Sequence, residues 1–437
     1  MIVGAGVAGS VAAIDLARKG HNVALIERGQ TPGEKNLSGG IFYSRIMEQI
    51  FPNFLTAAPI ERKITRNIIS FLNNDSHVNI DYWDNRLADP VNAVSVLRGK
   101  LDAWLADQAE AAGVMLMPGV KVDQLLHTEA GEVCGIIAGE EELTANIVIA
   151  ADGVNSFLAQ EAGIREKQPD QNLAVGVKSV YKLPAEKITE RFNLGRNTHD
   201  GADTPNSIPA DGAAFAFVGD ATQGVAGGGF LYTNHDTISV GVVLRLDDLQ
   251  AKGLSSAEIH DHFLNHPAII PYLKDAQPIE YGCHLTIENG PAMVAQPISA
   301  PGFLIIGDAA GFTINNGFTI RGMDLAAQSA LCAAKTADNA LTANNFSAAA
   351  MSQYRAEISA SWLGADLDHA RHLPEFLENP RIFENYGQML ADTLYGIYNI
   401  DLQPRKPLRK IAFTALQNTG VKLTQAARDG IAALRAF

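Results

Sequence analysis

The stretch Gly4-x-Gly6-x-x-Gly9 constrains the fold of this chain more than any other feature of its sequence. In a dinucleotide-binding turn the first glycine permits a tight turn and the second lets the backbone approach a pyrophosphate, while the third lets the following helix pack on the strand. A helical pattern follows the turn, and an apolar run over residues 23–26 then ends in Glu27. This order of strand, turn, helix, strand and acid predicts a βαβ unit that binds a dinucleotide.

The strand that leads into this turn is short. Only Met1, Ile2 and Val3 precede Gly4, whereas a central parallel strand usually has about five residues and two buried faces. We therefore expect the natural protein to begin several residues upstream of Met1, with an apolar lead-in.

Glu27 is placed to accept hydrogen bonds from a ribose diol, because it follows the glycine turn at the spacing typical of such units. FAD and NAD both have this diol. Two further apolar runs end in turns with a carboxylate, at Ala151-Asp152-Gly153 and at Gly307-Asp308. Strand ends spread this widely along the chain favour FAD, which is long and threads through a protein, over NAD, which binds in one crevice.

The composition is that of an ordinary globular chain. Hydrophobic residues make up 47% and charged residues 19% of its 437 residues, and no stretch reaches the ~20 apolar residues of a membrane-spanning helix. The net charge of −14 argues against binding nucleic acid. Cys134, Cys283 and Cys332 are too few and too far apart for a disulfide framework or an iron–sulfur cluster held by this chain alone. With glycines where a signal peptide carries charge, these observations favour a cytoplasmic protein.

The sequence predicts an α/β fold in three parts. Residues 1–57, 88–172 and 291–346 would form a discontinuous dinucleotide-binding domain. Residues 58–87 and 173–290 alternate apolar and polar positions and would form a β-rich domain that covers the ligand, with one hairpin around Asn73 and another turning at residues 234–236. The rest, residues 347–437, would be helical.

Three segments of the β-rich part have more specific interpretations. The polar insert at residues 196–211 is expected to be a loop. The glycines at residues 227–229 would either let a ligand approach the backbone or form a flexible loop. His260, His262 and His266 lie in a polar helical pattern, for which a solvated helix is a simpler interpretation than a metal site.

Several motifs resemble those of the glutathione-reductase-type FAD fold, in its p-hydroxybenzoate-hydroxylase-like branch. They are GAGVAGS (residues 4–10) with Glu27, LRGKLDAWLADQAEAAGV (97–114), ADGVNS (151–156) and GDAAGF (307–312). Four other segments resemble, more narrowly, FixC-type members of the electron-transfer flavoprotein:quinone oxidoreductase family. These are KNLSGGIFY (35–43), GGGFLYTN (227–234), NNGFTIRGMDLAAQSA (315–330) and LTQAARDGIAALRAF (423–437).

The resemblance implies a Rossmann-like FAD-binding domain, an inserted β-rich substrate or quinone domain and a C-terminal helical region. Proteins of this family take electrons from an electron-transfer flavoprotein and pass them, through FAD, towards quinone. The mitochondrial members carry a C-terminal cysteine cluster for an iron–sulfur centre, which this chain lacks. FixC-type proteins are expected to borrow a ferredoxin-like iron–sulfur subunit instead, so the resemblance implies one subunit of an electron-transfer assembly.

The turns, the strand ends and the resemblance together give the candidate cofactor-binding residues. They are Gly4, Gly6, Val7, Ala8, Gly9, Glu27, Arg28, Lys35, Ser38, Gly39, Arg98, Val122, Ala151, Asp152, Gly153, Gly307, Asp308, Gly322 and Met323. In the resembling family an arginine at the position of Arg98 contacts the FAD diphosphate. We expect no metal site and no protein nucleophile, because a flavin carries the chemistry itself.

A helical pattern beginning at Gly322 and Met323 has a special role in this interpretation. Reduction places negative charge on the pyrimidine edge of a flavin, and a helix N-terminus stabilises such charge through free backbone N–H groups and its dipole. We therefore assign these two amides to the pyrimidine edge. Arg321, which precedes them, would either add a positive field or be an ordinary surface residue.

Two other functions stay open on the sequence alone. The chain could be an FAD-dependent reductase or monooxygenase acting on a small molecule such as an isoprenoid, or an FAD-binding assembly scaffold. The first would turn over a small substrate, and the second would hold FAD without turnover.

The C-terminal tail reverses the acidic charge of the rest of the chain. Residues 404–437 contain seven basic residues and a single acid, Asp429. A helix there would place Leu423, Ala427, Ile431 and Leu434 on one face. This helix would either pack by its apolar stripe or lie against an anionic membrane or an acidic partner, which leaves a peripheral position at the inner face of the membrane open.

Overall fold

The computed structural model describes residues 1–36, 39–195 and 210–437. Ser38 and nearly all of the predicted loop at residues 196–211 therefore lie outside the described residues.

The strands are numbered in chain order. They are β1 (Ile2–Val3), β2 (Ala24–Glu27), β3 (Gly40–Phe42), β4 (Ile60–Asn73), β5 (Ser76–Trp83), β6 (Val94–Val96), β7 (Met115–Pro118), β8 (Gln124–His127), β9 (Val133–Ala138), β10 (Glu141–Thr144), β11 (Val148–Ala150), β12 (Leu173–Lys182), β13 (Asp211–Gly219), β14 (Gly227–Thr233), β15 (Thr237–Arg245), β16 (Gln277–Ile287), β17 (Ser299–Ala300), β18 (Phe303–Ile305), β19 (Ile314–Asn315) and β20 (Ile320–Arg321).

The α-helices are numbered in the same way. They are α1 (Val7–Arg18), α2 (Arg45–Ile50), α3 (Phe54–Ala57), α4 (Arg98–Ala111), α5 (Phe157–Glu161), α6 (Ala185–Arg191), α7 (Leu246–Lys252), α8 (Ser256–Leu264), α9 (Ile270–Leu273), α10 (Gly290–Val294), α11 (Met323–Ala343), α12 (Ala348–Met351), α13 (Gln353–Ala360), α14 (Trp362–His369), α15 (Leu373–Leu377), α16 (Pro380–Glu384), α17 (Tyr386–Tyr398), α18 (Leu408–Asn418) and α19 (Leu423–Ala436).

Six strands form a sheet in the order β17-β18-β11-β1-β2-β7, parallel except for the edge pair β17–β18. Its inner strands are apolar apart from Glu27 at the end of β2, and Ile2, Leu25 and Leu304 have no exposed surface, as is typical of parallel sheets covered on both faces. Strand β1 pairs with a neighbour on each side despite its length of two residues. The predicted βαβ unit is therefore present, with α1 packed against α4 and α11.

Nine strands form the second large sheet, in the order β16-β12-β15-β14-β13-β4-β6-β3 with β5 paired to β4. Its pairs are antiparallel apart from β13–β4. Both predicted hairpins are confirmed, β4–β5 turning between Asn73 and Ser76 and β14–β15 turning after Thr233. Strands β3 and β6 pair in this sheet, although the sequence placed residues 40–42 and 94–96 in the dinucleotide-binding domain.

Helix α8 covers part of the second sheet, packing on β12 and β15. The prediction of a solvated helix is wrong for His260, in this helix, and for His266, two residues after its end. His260 is 1% and His266 4% exposed, because both face the protein, where His266 Nε2 lies 2.8 Å from the Asn73 carbonyl oxygen. His262 is at the surface and pairs with Asp220 at 2.7 Å. Within the described ranges, no three His, Cys, Asp or Glu side chains are grouped as a metal site would require.

The chain from residue 348 onward is helical, as predicted. In the last helix, α19, the interpretation of an apolar stripe packed on the protein is wrong, because Leu423, Ile431 and Leu434 are 63%, 55% and 85% exposed. The helix is held instead through its acid, since Asp429 accepts two hydrogen bonds of 2.6 Å from Arg381. None of the described helices has the length and apolarity to cross a bilayer.

Candidate cofactor site

A cavity of about 510 Å³ is lined by both large sheets. Turns at the carboxyl ends of parallel strands form one wall, which is where open α/β sheets bind ligands, and β12, β14, β15 and β16 form the other. Most of the candidate residues line it. They are Gly4, Gly6, Val7, Ala8, Glu27, Arg28, Lys35, Gly39, Arg98, Val122, Ala151, Asp152, Gly153, Asp308, Gly322 and Met323.

The glycine turn after β1 forms the floor of the first wall. Gly4 has φ +104°, and a Cβ there would lie 2.3 Å from the Ala151 carbonyl oxygen. A Cβ on Gly6 would point into the cavity, with Arg98 Nη2 at 3.4 Å as its nearest neighbour. The missing side chain at Gly6 thus leaves room for a group that must touch the backbone, and the first amides of α1 face the same space.

Glu27 ends β2 and aims its carboxylate at the turn. Its Oε2 accepts a hydrogen bond of 3.0 Å from the Ala5 amide, and its Oε1 accepts one of 2.7 Å from the Gly29 amide. Each carboxylate oxygen has a further lone pair that can accept from a ribose hydroxyl. The position agrees with the role expected from the sequence.

Arg98, at the start of α4, is held over the glycine turn by a bidentate pair with Asp102. Its Nε and Nη2 donate to the two carboxylate oxygens at 2.9 Å and 2.8 Å, and Asp102 has no exposed surface. Burial alone would lower the pKa of Arg98, but the carboxylate outweighs it and the net pKa is raised. The guanidinium is therefore a fixed positive charge beside the space at Gly6, suited to a diphosphate.

Two carboxylates follow the next parallel strands. Asp152 Oδ2 accepts from the Leu158 amide at 3.1 Å, while its Oδ1 is buried and has no hydrogen-bond partner in the described structure. Burial raises the pKa of Asp152 and of Asp308, and Arg98 opposes the rise at Asp308. A buried acceptor without a donor is unfavourable by about 1–3 kcal/mol, so this wall fits a ligand that brings hydroxyl groups.

Gly322 and Met323 also line the cavity. They begin α11, and the Met323 Cε atom lies 3.3 Å from where a Cβ on Gly40 would stand. The free amides of this 21-residue helix open on the cavity, which is the placement expected for the flavin pyrimidine edge.

Arg321 does not line the cavity. Its Nε and Nη2 donate to Asp324 and its Nη1 donates to Asp366, at 2.7 to 2.9 Å, and its guanidinium lies 5.6 Å from the ring centre of Tyr43 and 5.7 Å from that of Trp362. Two carboxylates offset its charge, so the geometry gives no support to a positive field on the ligand.

The remaining candidate glycines act in packing. A Cβ on Gly9 would lie 1.8 Å from the Gly4 carbonyl oxygen, and one on Gly307 would lie 2.9 Å from the Ala8 Cβ. The glycines at residues 227–229 are in β14 rather than in a loop, and a Cβ on any of them would collide with neighbouring strands or with Phe263. The loop interpretation is therefore wrong, and none of the three glycines lines the cavity.

The sequence analysis missed the side chains that the second sheet contributes to the cavity. These are Lys178 on β12, Phe230 and Tyr232 on β14, and His284 on β16. One signal was present, because Lys178 interrupts the otherwise apolar or small stretch Ala174–Val180. The other three sit in ordinary strand patterns, which do not tell one face from the other until the strand is paired.

The donor set of the cavity fits FAD along its length. The glycine turn with Arg98 suits the diphosphate, Glu27 suits the adenosine ribose, and Asp152 and Asp308 suit further hydroxyl groups. The space then continues to the start of α11.

Comparisons with known proteins agree with this fit. Residues 1–208 match the family described as FAD binding domain, and residues 373–437 match the ETF-QO/FixC family C-terminal domain. In solved structures, a geranylgeranyl bacteriochlorophyll reductase-like protein from Thermoplasma acidophilum superposes with a TM-score of 0.69 at 19% identity, over 98% of both chains. The flavin-dependent brominase Bmp2 gives 0.61 at 18% identity, over 98% of this chain and 97% of its own. At such identities these likenesses show the fold alone.

Two curated relatives are similar over their full length. The probable electron transfer flavoprotein-quinone oxidoreductase YdiS of Escherichia coli K12 is 43% identical over 99% of this chain and 97% of its own. Protein FixC of the same strain is 40% identical over 97% of each chain. The chain therefore belongs to the FixC-type branch of the electron-transfer flavoprotein:quinone oxidoreductase family, and it is an FAD-dependent oxidoreductase of electron transfer.

Proposed function

We propose that this protein takes electrons from an electron-transfer flavoprotein and passes them, through FAD, towards quinone. The observation that carries the proposal is the full-length similarity to a probable electron transfer flavoprotein-quinone oxidoreductase. The cavity supports it, because one wall suits the dinucleotide and the other supplies aromatic and basic groups at the far end.

Bound FAD supplies the redox chemistry by accepting two electrons and passing them on. The chain's residues bind and orient it. Arg98 would offset the diphosphate charge, Glu27 would accept from the ribose, and the amides of Gly322 and Met323 would hold the pyrimidine edge. The buried walls keep water from the ring, which strengthens each of these electrostatic contacts.

A ferredoxin-like iron–sulfur subunit is the second partner we propose. Cys134 is on β9, Cys283 on β16 and Cys332 in α11, and all three are free thiols. Three ligands on separate elements do not match the four thiolates of an ordinary cluster. A cluster in the electron path would then belong to another chain.

A quinone acceptor gives the tail a role at the membrane surface. The exposed side chains of Leu423, Ile431 and Leu434 project from α19, and basic residues such as Arg405 and Lys406 are exposed just before α18. Apolar and basic groups exposed in the same tail suit the interface of an anionic bilayer. We therefore place the protein in the cytoplasm, with peripheral contact at the inner face of the membrane.

The donor is tested by rapid anaerobic mixing of the FAD-loaded protein with reduced electron-transfer flavoprotein, following the flavin absorbance. We expect one FAD to be reduced per protein. The matched arm uses NADPH with a small isoprenoid. Reduction in that arm alone would replace the proposal with the small-molecule reductase function, and reduction in neither arm would favour a scaffold.

The membrane contact is tested by co-sedimentation with anionic liposomes at low and high salt. Each basic residue near such a surface contributes about 1 kcal/mol, so Arg405→Glu/Lys406→Glu should release most of the bound protein at low salt. The control is Lys167→Glu/Lys187→Glu, the same charge change at two exposed lysines of another region. If the wild type stays in the supernatant at low salt, the tail does not bind the membrane.

A further inference from the structure

Lys178 is the buried basic residue of the sheet wall. It is 3% exposed and lies in β12, between β15 and β16. Its sequence neighbour Val177 packs into the apolar core of the second sheet, so Lys178, on the opposite face, is turned into the cavity that it lines.

Glycines flank Lys178 in the sheet. Its cross-strand partner is Gly241 on β15 and Gly282 on β16, and Gly176, two residues before it, also lines the cavity. Three positions without side chains surround one long side chain. The Phe230 ring lies over Gly241, where a Cβ would stand 2.7 Å from its Cζ atom, while Gly176 leaves the backbone next to the lysine open to the cavity.

The head of Lys178 is fixed in place. Its Nζ donates a hydrogen bond to the Gly39 carbonyl oxygen. Residue 40 follows directly, and a Cβ there would approach Met323, the first residue of α11. The ammonium therefore lies on the side of the cavity where the Met323 side chain and the start of α11 are found.

No carboxylate forms an ion pair with Lys178 among the described residues. Burial lowers its pKa to about 7, Glu280 acts against this from a distance, and Arg98 adds to it. Burial of an ammonium without a counterion is unfavourable. The site is thus short of one negative charge.

We propose that the Lys178 ammonium is the positive charge that the chain places against the flavin ring, and that it favours the reduced form of the bound cofactor. Reduction consumes two electrons from the donor protein and one proton from solvent. The negative charge that remains on the ring is matched by Lys178. The inference rests on the bound FAD and the ring placement proposed above, and it does not depend on which protein supplies the electrons.

Other ionisable groups contribute to the same field and must be held constant. They come from several elements packed around the cavity: Lys35, Arg98, Tyr232, Glu280, His284 and Asp308.

The test is the midpoint potential of bound FAD, measured by equilibration with a reference dye. In Lys178→Met we expect the preference for reduced over oxidised FAD to fall at least tenfold, which is about 30 mV for two electrons. Lys182→Met is the matched control, because Lys182 is on the same strand but exposed and paired with Asp236. Its potential should equal that of the wild type.

Lys178→Arg keeps the charge at every pH and separates the electrostatic role from a structural one. Between about pH 6 and about pH 9, a range around the Lys178 pKa, the wild-type potential should fall more steeply with pH than that of the Arg variant. If the midpoint potentials of the wild type and of Lys178→Arg varied with pH in parallel, the proposal would be overturned, even if Lys178→Met failed to hold FAD. So would a Met variant that binds FAD with the wild-type potential, and either result would leave the donor proposal standing.

Discussion

The two walls of the cavity recognise a ligand in different ways. The wall from the parallel sheet presents mainly backbone and short side chains at strand ends, at Gly4, Gly6 and Gly153, with carboxylates at Asp152 and Asp308. The wall from the antiparallel sheet presents alternate side chains along strands, among them Lys178 and Tyr232. We call the first the backbone wall and the second the side-chain wall. The groups of the backbone wall are positioned by local geometry, whereas those of the side-chain wall are positioned by the pairing of strands that are distant in sequence.

Removing the charge of Arg98 should give the largest effect. Arg98→Met leaves the fully buried Asp102 without its cation, which should lower the free energy of unfolding by about 3–5 kcal/mol. Denaturant titration of the FAD-free protein measures this. The companion variant Arg98→Met/Asp102→Leu should recover most of the stability but not the FAD affinity. Wild-type affinity in that double variant would show that the arginine does not contact FAD.

The backbone wall is tested by filling the space that Gly6 leaves. Gly6→Val should weaken FAD binding by about 1–3 kcal/mol, roughly 5- to 150-fold, with little change in the stability of the FAD-free protein, because the new atoms enter the cavity. Gly9→Ala should instead mainly lower the stability of the FAD-free protein, since its Cβ would lie 1.8 Å from the Gly4 carbonyl oxygen. Isothermal titration measures the FAD affinity of each variant, and denaturation measures the stability of its FAD-free form. Equal changes in both quantities for Gly6→Val and Gly9→Ala would contradict the distinction.

The same contrast explains what the sequence could and could not predict. The βαβ unit, both hairpins and the helical C-terminal region follow from local patterns, and so does the position of most backbone-wall residues. Lys178 could be noticed as a lysine in an apolar strand but not placed, because its neighbours Gly241 and Gly282 are brought to it by pairing. The exposure of the apolar stripe on α19 could not be predicted either, because periodicity shows that a helix has an apolar face but not what covers it.

In the side-chain wall, Lys178 should determine part of the pH dependence of the free energy of unfolding. Lys178 has a folded-state pKa of about 7, below its ordinary 10.5, so between these values the unfolded chain binds a proton that the folded chain has lost. Stability must then rise with pH across this window, by up to about 1.4 kcal/mol per pH unit. Lys178→Met should remove that slope, as denaturation of the two FAD-free proteins at several pH values would show. Parallel pH dependences would mean that Lys178 keeps its proton.

Substitution of Tyr232 should give the smallest effect. It tests whether a side chain of this wall other than Lys178 acts through a change of charge. Its ring stacks on Phe230 with the centres 5.1 Å apart, and burial raises the pKa of its hydroxyl further above the neutral range. The hydroxyl therefore stays protonated and can act only as a neutral hydrogen-bonding group. Tyr232→Phe keeps the stack and should change FAD affinity by no more than about 0.5–1.5 kcal/mol, without altering how the midpoint potential varies with pH. A change in that pH dependence, comparable to the one expected from Lys178→Arg, would mean that the tyrosine titrates beside the ring and that the wall does not act through a single charge.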